Sequence, residues 1–168
     1  MMKKISIIYG STTDNTKDTA SQIAEQLSEF SPQLIDVANC SADDFTAADC
    51  LILGTSTWGA GDLQDDWYDA LPKLKSVDLS DKTVALFGLG DSCSYSDTFV
   101  DGMGDLYDFF SKKGCKIVGF VTTAEYSFSA SRAVIGDEFV GLPIDADNES
   151  SLTAERISVW VEKIKQSF

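Results

Sequence analysis

Ile5-Ser6-Ile7-Ile8-Tyr9-Gly10-Ser11-Thr12-Thr13-Asp14-Asn15-Thr16 is the stretch around which the chain is organised. Its apolar first half reads as a buried strand. Beyond Thr16, the residues Ala20, Ile23, Ala24, Leu27 and Phe30 recur at roughly helical spacing. The unit is therefore strand, short polar loop, helix N-terminus. Such a unit gathers free backbone N–H groups and the positive end of a helix dipole at one point, which suits a phosphate. The loop offers the hydroxyls of Ser11, Thr12, Thr13 and Thr16 and the amide of Asn15, and it has no Lys or Arg. An anion there is held by hydrogen bonds rather than by a counter-charge, each worth roughly 1.5–3 kcal/mol to a charged group. The same residue types are also ordinary turn and N-cap formers, so the surrounding chain decides. Two common nucleotide motifs are excluded. Asn15 stands at the second glycine of a Walker loop, and Thr12 and Asn15 stand where G-x-G-x-x-G needs glycine.

Working outward, Gln33 to Val37 reads as a second strand, and Ser41-Ala42-Asp43-Asp44 as an N-cap with acids in the first turn of a short helix. Cys50-Leu51-Ile52-Leu53-Gly54 and Thr83-Val84-Ala85-Leu86-Phe87-Gly88 are continuous apolar runs, the mark of strands covered on both faces. Trp67, Leu71 and Leu74 share one helix face. Phe99, Met103, Leu106 and Phe110 share another, in a helix ended by Gly114. Lys116 to Val121 reads as a strand, and Ile157, Trp160, Val161 and Ile164 line a last helix. About five strand–helix alternations predict an α/β fold, a doubly wound five-stranded parallel sheet with helices on both faces. Ligands of such folds lie beyond the carboxyl ends of the strands. The stretch from Thr122 to Leu142 breaks the alternation, and an insertion that splits the fifth strand accounts for it.

Composition narrows the function. A chain of 168 residues is expected to form a single domain spanning 1–168. It has no run of about 18 apolar residues, so a membrane span is not expected. Met1-Met2-Lys3-Lys4 runs straight into a strand without the long apolar region of a secretory leader, which points to the cytoplasm. A net charge of −14 argues against nucleic acid and anionic membrane and favours basic proteins as partners. Histidine is absent, which excludes His-based triads, His acid–base catalysis and His metal ligands. Cys40, Cys50, Cys93 and Cys115 form no C-x-x-C pair and no zinc-like spacing, so they read as reduced thiols, with Cys93 a small space-filler. Asp145-Ala146-Asp147-Asn148-Glu149-Ser150 begins like a calcium loop, but Ser150 and Arg156 occupy its glycine and glutamate positions.

Two further loops leave carboxyl ends of strands. One runs Thr55-Ser56-Thr57-Trp58-Gly59-Ala60-Gly61-Asp62-Leu63-Gln64-Asp65-Asp66 up to the helix residue Trp67, the other Gly88-Leu89-Gly90-Asp91-Ser92-Cys93-Ser94-Tyr95-Ser96-Asp97. Each sets one aromatic among small residues and acids, and two such aromatics can sandwich a flat ring. The Gly10–Thr16 loop, Thr57-Trp58-Gly59, and Gly88-x-Gly90-Asp91-x-x-x-Tyr95, all in register, resemble flavodoxin over the whole chain. Gly141-Leu142-Pro143-Ile144-Asp145-x-Asp147 and Leu152-Thr153-Ala154-Glu155-Arg156 look like the long-chain branch, which carries an insertion in its fifth strand.

That resemblance implies a non-covalent flavin mononucleotide (FMN). Ser11, Thr12, Thr13, Asn15 and Thr16 would hold its phosphate, and Ser56 and Thr57 would lie near the phosphate and ribityl chain. Trp58 and Tyr95 would cover the two ring faces. Gly59, Ala60, Gly61, Leu89, Gly90 and Asp91 would meet the polar edge, with Thr98 and Asp147 nearby. Asp14 belongs to the same loop but stands where the family usually has glycine. The resemblance further implies an electron carrier rather than an enzyme, cycling at low potential between semiquinone and hydroquinone. A flip of the Gly59–Ala60 peptide would serve the proton on flavin N5, and Asp62, Asp65, Asp66, Asp91 and Asp97 would disfavour a reduced anion. A monomer serving basic redox proteins, such as an NADP-linked flavodoxin or ferredoxin reductase, is implied with it. An FMN-dependent quinone or NADPH oxidoreductase of related fold is the main alternative. A flavin-free interaction module is a further one. A phospho-accepting receiver domain fits poorly, because Gly10-Ser11 and Gly54-Thr55 replace its acids.

Overall fold

The computed structural model describes residues 3–168, so Met1 and Met2, on which part of the reading of an absent leader rests, lie outside the described residues. In chain order the main elements are β1 (Ile5–Gly10), α1 (Asn15–Gln26), β2 (Gln33–Asp36), α2 (Ala42–Thr46), β3 (Cys50–Thr55), α3 (Asp65–Ala70), β4 (Thr83–Leu89), α4 (Asp101–Lys112), β5 (Lys116–Val118), β6 (Leu142–Ile144) and α5 (Thr153–Lys165). The sheet order is β2-β1-β3-β4, with both β5 and β6 beside β4, and every pairing is parallel.

Period-two alternation divides the core. Ile5, Ile7, Tyr9, Cys50, Ile52, Ala85 and Phe87 face α1 and α5, meeting Ala20, Ile23, Leu27, Ile157, Trp160 and Ile164. Ile8, Leu51, Leu53, Val84 and Leu86 face the other way, toward Phe45, Trp67, Met103, Leu106 and Phe110. Every residue of β1 and β3 is buried, which is why their sequences are mostly apolar, with Ser6 and Thr55 the buried polar residues among them. Each fully buried Leu, Ile or Phe contributes about 1.5–3 kcal/mol.

The fifth strand position is filled twice. Thr83–Ala85 of β4 pair with Lys116–Val118, and Phe87–Leu89 pair with Leu142–Ile144. The expected strand to Val121 instead stops at Val118, because Gly119 adopts φ 82° and turns the chain off the sheet. The Trp160 indole N–H donates to the Gly119 carbonyl at 2.8 Å, and a β-carbon at 119 would lie 2.8 Å from that nitrogen. The stretch from Thr122 to Leu142 is not wholly irregular. Val121–Thr122, Val134–Ile135 and Glu138–Phe139 form a small antiparallel ladder. It is seated on Phe99, Tyr126, Phe128 and Phe139, whose ring centroids lie 5.1–6.2 Å apart. Two smaller differences concern ends: β2 stops at Asp36, where Val37–Asn39 form a 3-10 turn, and the helix through Trp67 tightens to 3-10 at Leu71–Leu74. Among the described residues no helix is long and apolar enough to cross a membrane.

Candidate functional site

The carboxyl ends of β1, β3, β4 and β6 open on one groove of about 150 Å³. Thr13, Asn15 and Thr16 line it from the first loop. Ser56, Thr57, Trp58 and Gly59 line it from the second, and Leu89, Gly90, Asp91, Tyr95 and Thr98 from the third. Ala146 and Asp147, just past β6, close it. No Lys or Arg is among these lining residues, so the groove has hydrogen-bond donors but no counter-charge of its own.

The first loop meets α1 at Asp14, which takes the left-handed conformation (φ 70°, ψ −10°) and makes no side-chain cap to the helix. The Ser11 hydroxyl accepts from Lys17 N–H at 3.4 Å, and the Thr12 hydroxyl accepts from the Gln64 side-chain amide at 3.3 Å. Gln64 is buried, and its oxygen also accepts from Asp66 N–H at 2.9 Å, so it ties the first loop to the start of α3. The second loop is a tight hairpin, Thr57–Trp58 against Asp62–Leu63, closed by a 3.2 Å bond from Gly61 N–H to the Trp58 carbonyl. Its turn needs Gly59 at φ 54° and Gly61 at φ 94°. The Trp58 indole N–H donates to the Ser56 hydroxyl at 2.7 Å. Trp58 stays 40% exposed and Tyr95 53%, whereas Trp67 and Trp160 are buried; these two loop aromatics leave ring surface uncovered at the groove.

The third loop is built on two carboxylates. Asp91 accepts from Cys93 N–H at 3.1 Å, Ser94 N–H at 2.9 Å and the Asn148 amide at 2.8 Å. The Ser94 bond first, and the Asn148 bond after it, hold its carboxyl below the usual range. Asp145 is fully buried and accepts from Ser92 N–H at 3.1 Å, from the Ser92 hydroxyl and from Asn148 N–H at 3.0 Å. Partial burial, then the facing carboxylates of Asp91 and Asp145, push the Asp147 carboxyl up.

Thr16 Oγ1 and Thr98 Oγ1 are buried side-chain oxygens with no hydrogen-bond partner among the described residues, and both residues line the groove, from opposite loops. A buried hydroxyl left unpaired costs about 1–3 kcal/mol. A ligand with several acceptors, lying between them, would satisfy both. The donor set, the missing cation and the two open aromatic faces fit a molecule that carries a phosphate at one end and a flat ring at the other.

Of the residues singled out in the sequence, Ser11, Thr12, Asp14, Ala60 and Gly61 do not form the groove wall. The first two brace the loops, Asp14 sets the helix start, and Ala60 and Gly61 form the hairpin turn. Ala146, which lines the groove, and Gln64, Asp145 and Asn148, which brace its loops, are not among the cofactor-binding residues expected from the sequence. Gln64 sits among acids and looks like a helix cap, which it also is. Asp145 and Asn148 bond each other locally, but their other partners, Ser92 and Asp91, lie 53 and 57 residues away, beyond any local pattern.

The flavodoxin family model matches residues 7–160. The flavodoxin of Helicobacter pylori is 44% identical over 167 residues, covering 99% of both chains. That of Synechocystis is 42% identical over 165 residues, covering 98% of this chain and 97% of its own. This chain belongs to the flavodoxin family. A crystal structure of the Fusobacterium nucleatum flavodoxin bound to flavin mononucleotide superposes with a TM-score of 0.94 at 33% identity, covering 99% of each chain. Membership explains why loops unrelated in sequence meet at one groove: the family winding brings all of them to the same edge of the sheet.

Proposed function

We propose that this flavodoxin-family chain carries a non-covalent FMN in the groove and works as a one-electron carrier between partner redox proteins. Among the observations on this chain, the one that carries the reading is a cation-free groove set between two exposed aromatics and lined by Thr16 and Thr98, whose buried hydroxyls find no partner among the described residues. The relatives it matches over nearly their whole length are named flavodoxins, which supports a carrier over a flavin-dependent quinone or NADPH oxidoreductase.

Bound FMN supplies one-electron chemistry, and the protein tunes it. Loop 11–16 would hold the phosphate, with Thr13, Asn15 and Thr16 at the groove wall, Ser11 and Thr12 bracing the loop, and the exposed Asp14 keeping its carboxylate on the solvent side. Ser56 and Thr57 orient the chain that follows, with Thr98 and Asp147 beside it, and Trp58 and Tyr95 exclude water from the ring faces. Backbone of Gly59–Gly61 and Leu89–Asp91 meets the polar edge. The Gly59 carbonyl oxygen would be the acceptor for a proton on flavin N5, and Gly59 at φ 54° would let that peptide turn. Asp62, Asp65, Asp66, Asp91 and Asp97 add negative charge around the site and lower the second potential. The split fifth strand supports the long-chain reading. A net charge of −14 supports basic partners such as an NADP-linked flavodoxin or ferredoxin reductase, met by a cytoplasmic, single-domain monomer.

The test is stepwise anaerobic reduction of FMN-loaded protein, followed by absorbance. A long-wavelength band that grows and then bleaches supports a one-electron carrier. Bleaching in one two-electron step, or failure to retain FMN, refutes the reading.

A further inference from the structure

The insertion between β5 and β6 does more than fill space beside the sheet. It delivers Arg132 to the back of the Trp58–Gly61 turn. The guanidinium donates from Nη2 to the Gly61 carbonyl at 2.7 Å and to Asp105 at 3.2 Å. Its Nε lies 3.7 Å from Asp101, whose other carboxylate oxygen accepts from Arg132 N–H at 2.7 Å. The Asp101 side chain is 4% exposed, and a β-carbon on Gly61 would come within 2.6 Å of its oxygen. The turn, α4 and the insertion are therefore packed backbone against side chain at one point. A second strut comes from the same helix: Gly102 N–H donates to the Thr57 hydroxyl at 3.0 Å. A β-carbon at Gly104 would meet the Arg132 carbonyl at 2.8 Å, so α4 lies directly on the arginine backbone.

From this geometry we propose that Arg132 is a positioning residue for the cofactor, clamping Gly61 so that the Gly59–Ala60 peptide alone is free to change orientation. The clamp grips one residue beyond that peptide. On its other side the turn is held by the Gly61–Trp58 backbone bond. Freedom in this loop is confined to a single peptide between two anchors. Releasing Gly61 spreads it over the whole turn, and cofactor binding must then order more backbone. No lysine does this equally well. The planar fork bonds Gly61 and lies along Asp101 and Asp105 together, whereas an ammonium acts as a point charge.

The inference rests on the FMN reading for its consequences but not for its first test. Amide hydrogen exchange of apoprotein, comparing wild type with Arg132→Met and Arg132→Lys, reads the clamp without any flavin. Faster exchange confined to residues 58–62 is expected in both variants, larger in Met. Exchange unchanged there, or raised evenly over the chain, overturns the clamp. On loading with FMN, Arg132→Met should bind about 3- to 10-fold more weakly, the span of one partly exposed charged hydrogen bond. Its two midpoint potentials should move apart or together by an amount that persists in about 0.5 M salt, where bare charge effects are screened. A change that vanishes in salt, or full rescue by Arg132→Lys, makes Arg132 a distant charge and overturns the proposal. If wild type itself binds no FMN, the function proposed above fails, while the exchange result still decides the clamp.

Discussion

Asp14 offers the sharpest separation of strain from charge. It holds φ 70° at the N-terminus of α1, is exposed, and makes no cap bond. A left-handed conformation costs a residue with a β-carbon about 1–2 kcal/mol, somewhat less for Asp. Asp14→Gly removes that strain but loosens the unfolded chain by about 0.4–1 kcal/mol. It also gives up a helix-dipole contribution of about 0.3–1 kcal/mol at low salt. By these terms together the apoprotein should come out within about 1 kcal/mol of wild type in either direction. Asp14→Ala keeps the strain and loses the polar side chain, so it should be about 1 kcal/mol less stable than Asp14→Gly. The phosphate is a separate matter. Two unit charges about 8 Å apart in water repel by about 0.5 kcal/mol, and a phosphate near −2 doubles that. Removing the Asp14 charge should tighten FMN about fivefold at low ionic strength and about twofold near 0.15 M, where the Debye length is about 8 Å. Urea unfolding of apoprotein and FMN titration by fluorescence quenching measure the two effects. The reasoning is refuted if Asp14→Ala matches Asp14→Gly in stability. It is equally refuted if Asp14→Asn and Asp14→Gly leave FMN affinity unchanged at low salt.

Replacing Thr16 or Thr98 by Val removes a buried hydroxyl that has no protein partner, so apoprotein stability should hold or rise while FMN affinity falls; a matching loss of apoprotein stability would show that the hydroxyl serves the fold. Trp67→Phe strips the indole N–H that donates to the buried Gly54 carbonyl at 2.9 Å, and should cost about 1–3 kcal/mol in chemical denaturation. Asp91 has a lowered carboxyl pKa, so its contribution is complete above the ordinary carboxylate range and is lost as pH falls through the lowered value. Asn148→Ala should raise that pKa toward the ordinary range and move the acid-side loss of stability to higher pH, read as the apoprotein melting temperature against pH; an unchanged acid limb would exclude the Asn148 bond as a cause.

Much of this molecule can be read from local pattern. The largely apolar runs at Ile5–Tyr9, Cys50–Gly54 and Thr83–Gly88 declare buried parallel strands, because a strand covered on both faces has no polar side to show. The helix stripes through Ile23, Met103 and Trp160 are equally legible, since burial on one face imposes a 3.6-residue period. Loop composition marked out Thr16, Trp58 and Tyr95, as only small, hydroxylic and aromatic residues suit a groove that binds without cations.

What the sequence determined by itself is the winding, the core and the three loops at the carboxyl edge of the sheet, because each depends on neighbours only a few residues apart. Tertiary structure alone decided the rest. Gly119 leaves the sheet because Trp160, 41 residues away, occupies the space beside it and bonds its carbonyl. The Asp145–Ser92 and Asn148–Asp91 bonds span more than 50 residues, and the Arg132–Gly61 bond spans 71. A hydrogen bond depends on where two atoms end up, and for segments this far apart no periodicity carries that information until the sheet has brought their ends together.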